Sequence, residues 1–324
     1  MRTLINKLFL VFQSIALMLC FSSSCCAQKP QLHVKKIGVV IPIEHAAIRE
    51  IARAFRKTLP QLVKQPIKFS IRNAQGDSNL QRAIISQMRD ANYDLIVPIS
   101  TTVTQMSMAL TSFQPIIGLA ADVGTKQSNV VIVNDEIDKA ISISFIHKIY
   151  PEVRKLIIVH STSNKIFNEV KQVEKACKFH KIVVQRLMIQ SLADLYSASQ
   201  AMPTDIQAIF ILKDNLVASG INTLVQVTKQ RKIPLITSDE GTVKNGACFS
   251  LGVHEKSIGV EGAKLAAKIL QGTTPNSLVN MKLTKPTVFV NLKSLAETGQ
   301  SIKKIEQITR QLGYPLEKVS LDNL

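Results

Sequence analysis

The sequence predicts an α/β protein of two lobes, each built on a parallel sheet, and three observations lead there. From residue 34 onward short apolar runs alternate with helical patterns. The runs are continuously apolar rather than alternating, as strands buried on both faces are. The pattern of the first half then returns in the second at a fixed interval. A length of 324 residues accommodates two domains of ordinary size, and 46% hydrophobic residues suffice for packed cores, which excludes a disordered or low-complexity chain.

Residues 1–27 read as a secretory signal. Arg2 and Lys7 supply the positive start, an apolar run covers residues 8–21, and Ser22, Ser23 and Ser24 follow as small residues. Interrupted by Gln13, the run is shorter than the roughly 20 residues a spanning helix needs. Two cleavage points fit. A cut before Cys25 uses Ser22-Ser23-Ser24-Cys25, which resembles a bacterial lipobox with Ser22 in place of the usual Leu, and makes Cys25 the lipidated residue. A cut after Ala27 is the alternative; the lipoprotein-type cut is preferred, with the exported protein anchored to the membrane. Cys177 and Cys248 remain for the body. They lack CxxC spacing, so both are expected as buried apolar residues, with a mutual disulfide as the alternative.

In the body, the run Lys36-Ile37-Gly38-Val39-Val40-Ile41 is the first strand, too short for a helix and too continuous for a half-exposed strand. A helix follows because Ile48, Ile51, Ala52, Phe55 and Leu59 recur at three- and four-residue steps, leaving Arg49, Glu50, Arg53 and Lys57 to solvent. The unit repeats through 67–71, 80–88, 95–99, 103–110 and 116–119. After Tyr150-Pro151 it restarts. Lys36 and Pro115 stand 79 positions apart, as do Lys155 and Pro234. The run 95–99 has its counterpart in 208–212. The last 80 or so residues hold a strand at 247–253, a helix carrying Ile258, Ala263, Leu265, Ala266, Ile269 and Leu270, a stop at Gly272, a strand at 287–290 and terminal helices. These are too few strands for a third domain, so they complete the two sheets. The expected division is residues 34–133 with 242–283 in lobe 1, 134–241 with 284–312 in lobe 2, and a tail at 313–324. Connections of several strands leave a cleft that can open and close.

Forty Lys and Arg against 23 Asp and Glu give a net charge of +17. The basic residues are dispersed, and no aromatic residues interleave the densest spots, Lys35-Lys36, 229–232 and Lys303-Lys304. Nucleic acid is therefore not an expected partner, and a basic surface beside an anionic cell envelope is the simpler reading.

Ligands of open parallel sheets sit beyond the carboxyl ends of the strands, where helix N-termini present free N–H groups. In the first lobe those positions hold Glu44, His45, Ser100, Thr101, Thr102 and Asp122. The second lobe offers His160, Ser161, Thr162, Ser163 and Asn164, then Asp214 and Asn215, then Ser238, Asp239 and Glu240. Capping alone explains any one of them. Taken together, a helix start at Ser100-Thr101-Thr102 suits a carboxylate, and Asp122, Asp214 or Asp239 suits an ammonium, which describes a site for a zwitterion. Aromatic stacking partners are few, with Phe167 and Phe249 as candidates.

Catalytic motifs are scarce. GxGxxG after a strand, the Walker loop, GxSxG and HExxH are all missing, and Ser301-Ile302-Lys303-Lys304 matches SxxK by letter without companion motifs. No enzyme activity, metal or cofactor is expected.

The stretches 37–45, 73–77 and 94–102, the pair Asp214-Asn215, and the segments 245–247 and 251–253 resemble the substrate-binding proteins of ABC transporters, whose better-known members take up tryptophan or tyrosine. The resemblance spans about 36–299. It implies a type I periplasmic-binding-protein fold, with two Rossmann-like, flavodoxin-like lobes joined by a three-stranded hinge, and delivery of a small amino-acid-like ligand to a membrane permease and its ATPase. It places ligand contacts on Glu44 and His45, on Ser100 to Thr102, and on Asp214 and Asn215. Ala46 stands where the family often has Pro, and Val123 where it has the Pro of an Asp-Pro pair, both on ligand-facing loops. A ligand-sensing protein for a membrane receptor is the alternative, and an α/β enzyme a more distant one.

Overall fold

The computed structural model describes residues 33–125 and 127–319. The signal segment, Cys25 and residues 320–324 lie outside the described residues.

Strands β1 (Lys35–Ile41), β2 (Ile67–Asn73), β3 (Leu95–Pro98), β4 (Ile116–Leu119) and β5 (Val130–Asn134) form a parallel sheet in the order β2-β1-β3-β4-β5. Helices α1 (Ala46–Leu62), α2 (Ser78–Asp90) and α3 (Thr101–Leu110) link them. β3 and β4 are buried throughout, which is why their sequences show no alternation. β2 lies at the sheet edge, and its Ile-Lys-Phe-Ser-Ile-Arg alternation is that of a half-exposed strand.

The second sheet repeats the plan. After α4 (Lys139–Ile149), strands β6 (Lys155–Ser161), β7 (Val183–Ile189), β8 (Ala208–Ile211), β9 (Leu235–Thr237) and β10 (Phe249–Gly252) pair in parallel in the order β7-β6-β8-β9-β10. Their connections carry α5 (Asn164–Phe179), α6 (Leu192–Gln200), α7 (Asn215–Ser219), α8 (Ile221–Arg231) and α9 (Glu240–Lys244). Each sheet thus has the doubly wound order 2-1-3-4-5, whose crevice opens where the chain reverses direction beside its first strand. The 79-residue interval runs in both halves from the first strand to the approach of the fourth, β1 to β4 and β6 to β9.

The remaining elements are α10 (Glu255–Leu270), β11 (Met281–Lys282), β12 (Thr287–Val290), α11 (Leu292–Glu297), α12 (Ile302–Leu312) and β13 (Leu316–Lys318). β11 extends the first sheet beside β5, whereas β12 joins the second, antiparallel to β10 and parallel to β13. α10 packs on α1 at close range: a Cβ on Gly259 would stand 2.4 Å from the Ile51 carbonyl oxygen, so only glycine fits there.

The expected placement of residues 242–283 in the first lobe fails for β10. That strand pairs with Ile236 and Thr237 of β9, and its Phe249 ring packs against Phe145 and Tyr150 at centroid distances of 6.1 and 6.0 Å. A short parallel connection through α9 keeps β10 in the sheet it follows. The chain therefore crosses between sheets after β5, after β10 and after β11. Nor is 313–324 all tail, since β13 lies within it. Cys177 and Cys248 are buried, unbonded thiols rather than a disulfide. Burial pushes the Cys177 thiol up to about 12.

Candidate functional site

A cavity of about 470 Å³ opens between the carboxyl ends of the two sheets. Residues following β1 (Pro42, Ile43, His45), β3 (Ile99 to Thr102) and β4 (Ala120) line it from the first half. Those at and after the end of β6 (Ser161 to Ser163) and following β8 (Lys213 to Asn215) and β9 (Asp239) line it from the second. Of the residues expected to bind, His45, Ser100, Thr101, Thr102, Ser161, Thr162, Asp214, Asn215 and Asp239 are in this lining.

Glu44, Asp122 and Asn164 are not. The exposed Glu44 carboxylate turns to Arg49, 3.5 Å from its guanidinium. Asp122 is exposed and donates its backbone N–H to Thr101 Oγ1 at 3.0 Å. Asn164 is the exposed first residue of α5, while Ser163 and Lys165 on either side reach the cavity.

Two residues carry the geometry of the first half. Ser100 turns the chain from β3 into α3 with φ at 96°, a conformation that costs a non-glycine residue about 1–3 kcal/mol. Its N–H is fixed on the Leu119 carbonyl at 2.9 Å, and the turn aims the start of α3 at the cavity. His45 precedes α1 and reaches across the gap, with Nε2 3.1 Å from Asn215 Oδ1. Burial lowers its pKa, only partly offset by the bond to Asn215 and the charges of Asp239 and Asp214, so the imidazole is neutral at pH 7. The bond to Asn215 makes Nε2 the protonated nitrogen, and Nδ1 is buried with no partner.

Asp214 and Asp239 both cap helices, as capping alone would predict. Asp214 accepts from Ser161 N at 2.6 Å and from Leu216 N at 3.1 Å. Asp239 accepts from Thr242 N at 2.8 Å and from Thr242 Oγ1 at 2.9 Å. N–H donors hold both carboxylates in place without neutralising them.

Sequence reasoning missed Gln81, Asp135, Lys165, Lys213 and Glu255, all of which line the cavity. Asp135 directly follows β5 and Lys213 stands two residues past β8, so the strand-end rule could have found them. Lys213 Nζ donates to the Asp135 carbonyl at 2.6 Å and also meets the Asp135 carboxylate. Behind them, Lys165 lies 2.6 Å from Glu136 and 2.9 Å from Glu169, and Lys139 lies 2.7 and 2.8 Å from the same two carboxylates. Burial alone would lower Lys165 and raise Glu136. Their mutual attraction, reinforced by the other members, wins: Lys165 is raised and Glu136 held well below the usual carboxylate range. Glu255 is the opposite case. Burial, then the neighbouring Glu240 and Asp239, push it well above the usual carboxylate range, and its Oε1 accepts the Glu240 and Gly241 N–H groups at 2.8 and 3.0 Å. Among the described residues, no cluster of His, Cys, Asp and Glu could hold a metal ion.

Residues 36–311 match the family described as ABC transporter substrate binding protein. The chain belongs to this family. It is 37% identical over 291 residues to the uncharacterized protein RP367 of Rickettsia prowazekii (strain Madrid E), covering 90% of this chain and 92% of that one. A tyrosine-binding protein of Clostridioides difficile (strain R20291) is 25% identical over 293 residues, 85% of this chain and 84% of the other. Among solved structures, an ABC domain from Streptococcus pneumonia in complex with L-Trp superposes with a TM-score of 0.80 at 21% identity, covering 88% of this chain and all of that one. The fold is that of the type I periplasmic-binding proteins. Membership implies a solute-binding role outside the cytoplasm, with a small-molecule ligand and an ABC permease as partner. No helix among the described residues is long and apolar enough to cross a membrane.

Proposed function

We propose that this protein is the extracytoplasmic solute-binding component of an ABC importer, anchored to the membrane through a lipid on Cys25. It binds an amino-acid-like solute between its two halves, closes on it by hinge motion, and presents it to the permease without altering it. The free N–H groups at the start of α3, around Thr101 and Thr102, receive the solute's carboxylate, and Asp214 and Asp239 face its ammonium.

The observation that carries this reading is the His45–Asn215 hydrogen bond, formed across a cavity whose two walls are the matching strand ends of two like-ordered sheets. A solute held by both walls favours the state in which they approach, so binding and closure are one equilibrium. The test is to unfold and refold the purified protein to strip it of ligand, then screen amino acids by melting shift and small-angle scattering. An upward shift with a smaller radius of gyration, and recovery of the solute unchanged, is the expected result. Chemical conversion of the solute, or binding with no change in dimension, overturns the reading.

A further inference from the structure

The chemistry of the cavity wall narrows the ligand further, and this step rests on the solute-binding reading above. Every Phe and Tyr among the described residues lies elsewhere than in the cavity lining. Phe249, a candidate stacking partner in the sequence, is fully buried against Phe145 and Tyr150. Phe167, the other, is outside the lining and packs on His160 at 6.0 Å, with Arg186 over its ring at 5.3 Å. The apolar part of the cavity wall is aliphatic instead. Ile48 and Ile51 come from α1, Ile99 from the end of β3 and Ile166 from α5, joined by Ile43 and Met106. Three of these isoleucines stand on helices, where β-branched side chains keep essentially one χ1 rotamer, so the wall is a stiff surface of methyl groups. An aromatic guest gains from ring partners set edge-on or offset to its face, and the single aromatic ring among the described lining residues, the His45 imidazole, is held by its bond to Asn215.

Charge narrows it again. Lys213 is committed to Asp135, and Lys165 to Glu136 and Glu169. What remains is the pair of carboxylates, Asp214 and Asp239, both in the cavity lining at strand ends of the second half. That pair suits the ligand's ammonium, and with Lys165 and Lys213 both paired no cation among the described lining residues is left to receive an anionic side chain.

We infer that the ligand is a zwitterionic amino acid with an uncharged aliphatic side chain, its carbon chain packed on the isoleucine wall formed by Ile48, Ile51, Ile99 and Ile166. The experiment uses the ligand-stripped full-length protein and titration calorimetry with leucine, isoleucine, valine and methionine against tryptophan, tyrosine and phenylalanine, with lysine and glutamate as charged probes. At least one aliphatic member is expected to bind about tenfold or more tightly than any aromatic or charged one, the discrimination a pocket of fixed shape readily gives. An aromatic or charged amino acid binding as tightly as the best aliphatic one overturns this inference while leaving the solute-binding role standing. A solute with no amino group, or no binding by any small molecule, overturns both. Mass spectrometry of ligand co-purifying with the untreated protein provides a second readout, in which an aromatic amino acid in stoichiometric amount also refutes the inference.

Discussion

Replacing Asn215 with alanine removes the acceptor that His45 meets across the cavity at 3.1 Å. The fold should survive, because Asn215 is only half-buried and the capping of α7 belongs to Asp214. The effect falls on closure. His45 is 9% exposed in the bridged form, so in the variant its Nε2–H is left buried without a partner. An unsatisfied buried donor costs about 1–3 kcal/mol, and water entering the space vacated by the amide favours the lower part of that range. A penalty of about 1–2 kcal/mol confined to the closed form weakens ligand binding by a factor of about 5–30. Calorimetric titration of wild type and Asn215→Ala with the same solute measures this directly, with the melting temperature of the ligand-free proteins as control. A dissociation constant within twofold of wild type, at an unchanged ligand-free melting temperature, refutes the reasoning. A ligand-free loss as large as the binding loss refutes it too, since the bond would then serve folding rather than closure.

Other outcomes follow from the same geometry. Burial holds His45 below its usual pKa of 6.5, so the bridged form prefers the neutral imidazole; affinity should be full above that pH and fall as pH drops below it, and a dissociation constant that tightens between pH 7 and 5 contradicts this. Lys165→Met strips Glu136 and Glu169 of one buried cation, and because Lys139 remains, a loss near the lower end of about 3–5 kcal/mol is expected in urea unfolding. Adding Glu169→Gln should restore part of that stability; equal losses in the single and double variants would show that the network is not coupled. Gly259→Ala places a Cβ 2.4 Å from the Ile51 carbonyl and 2.8 Å from the Phe55 nitrogen, so α1 and α10 must separate at a cost of about 1–3 kcal/mol. A variant as stable as wild type in urea unfolding would show that the two helices tolerate the separation.

The architecture was legible because buried parallel strands write themselves as unbroken apolar runs, and Lys36-to-Ile41 and 155–159 are such runs. Membership of β10 was not. Its sequence, Phe-Ser-Leu-Gly, is equally apt for either sheet, and only pairing with β9 decides it. Within the site, residues placed by backbone position were found, since Ser100 or Asp214 must sit where a strand ends. Whether a side chain at such a position turns inward is a separate question. Glu44 follows β1 as His45 does, yet an arginine five residues on takes its carboxylate to the surface. Lys165 and Glu255 were invisible because they reach the cavity from the first turns of helices, α5 and α10, whose polar residues look alike in sequence whether they face solvent or a gap.

The distribution of buried charge separates support from recognition. Asp135, Glu136 and Lys139 all lie on the segment that leaves β5 for the second half, and each pairs with a residue of that second half: Lys213 after β8, or Lys165 and Glu169 on α5. An ionised group already satisfied by an opposite charge gains little by exchanging that partner for a ligand, because the exchange strands the old partner in a low-dielectric interior. These residues therefore anchor the crossover rather than select the guest. Asp214 and Asp239 differ in kind. Backbone N–H groups orient them without supplying an opposite charge, and the His45 imidazole nearby, its pKa lowered by burial, does not compete for them as a cation. A site assembled this way presents negative charge at one corner, free helix N–H groups at another and methyl groups between. A zwitterion with an apolar side chain satisfies all three at once, whereas a solute lacking either charge leaves one corner unmatched.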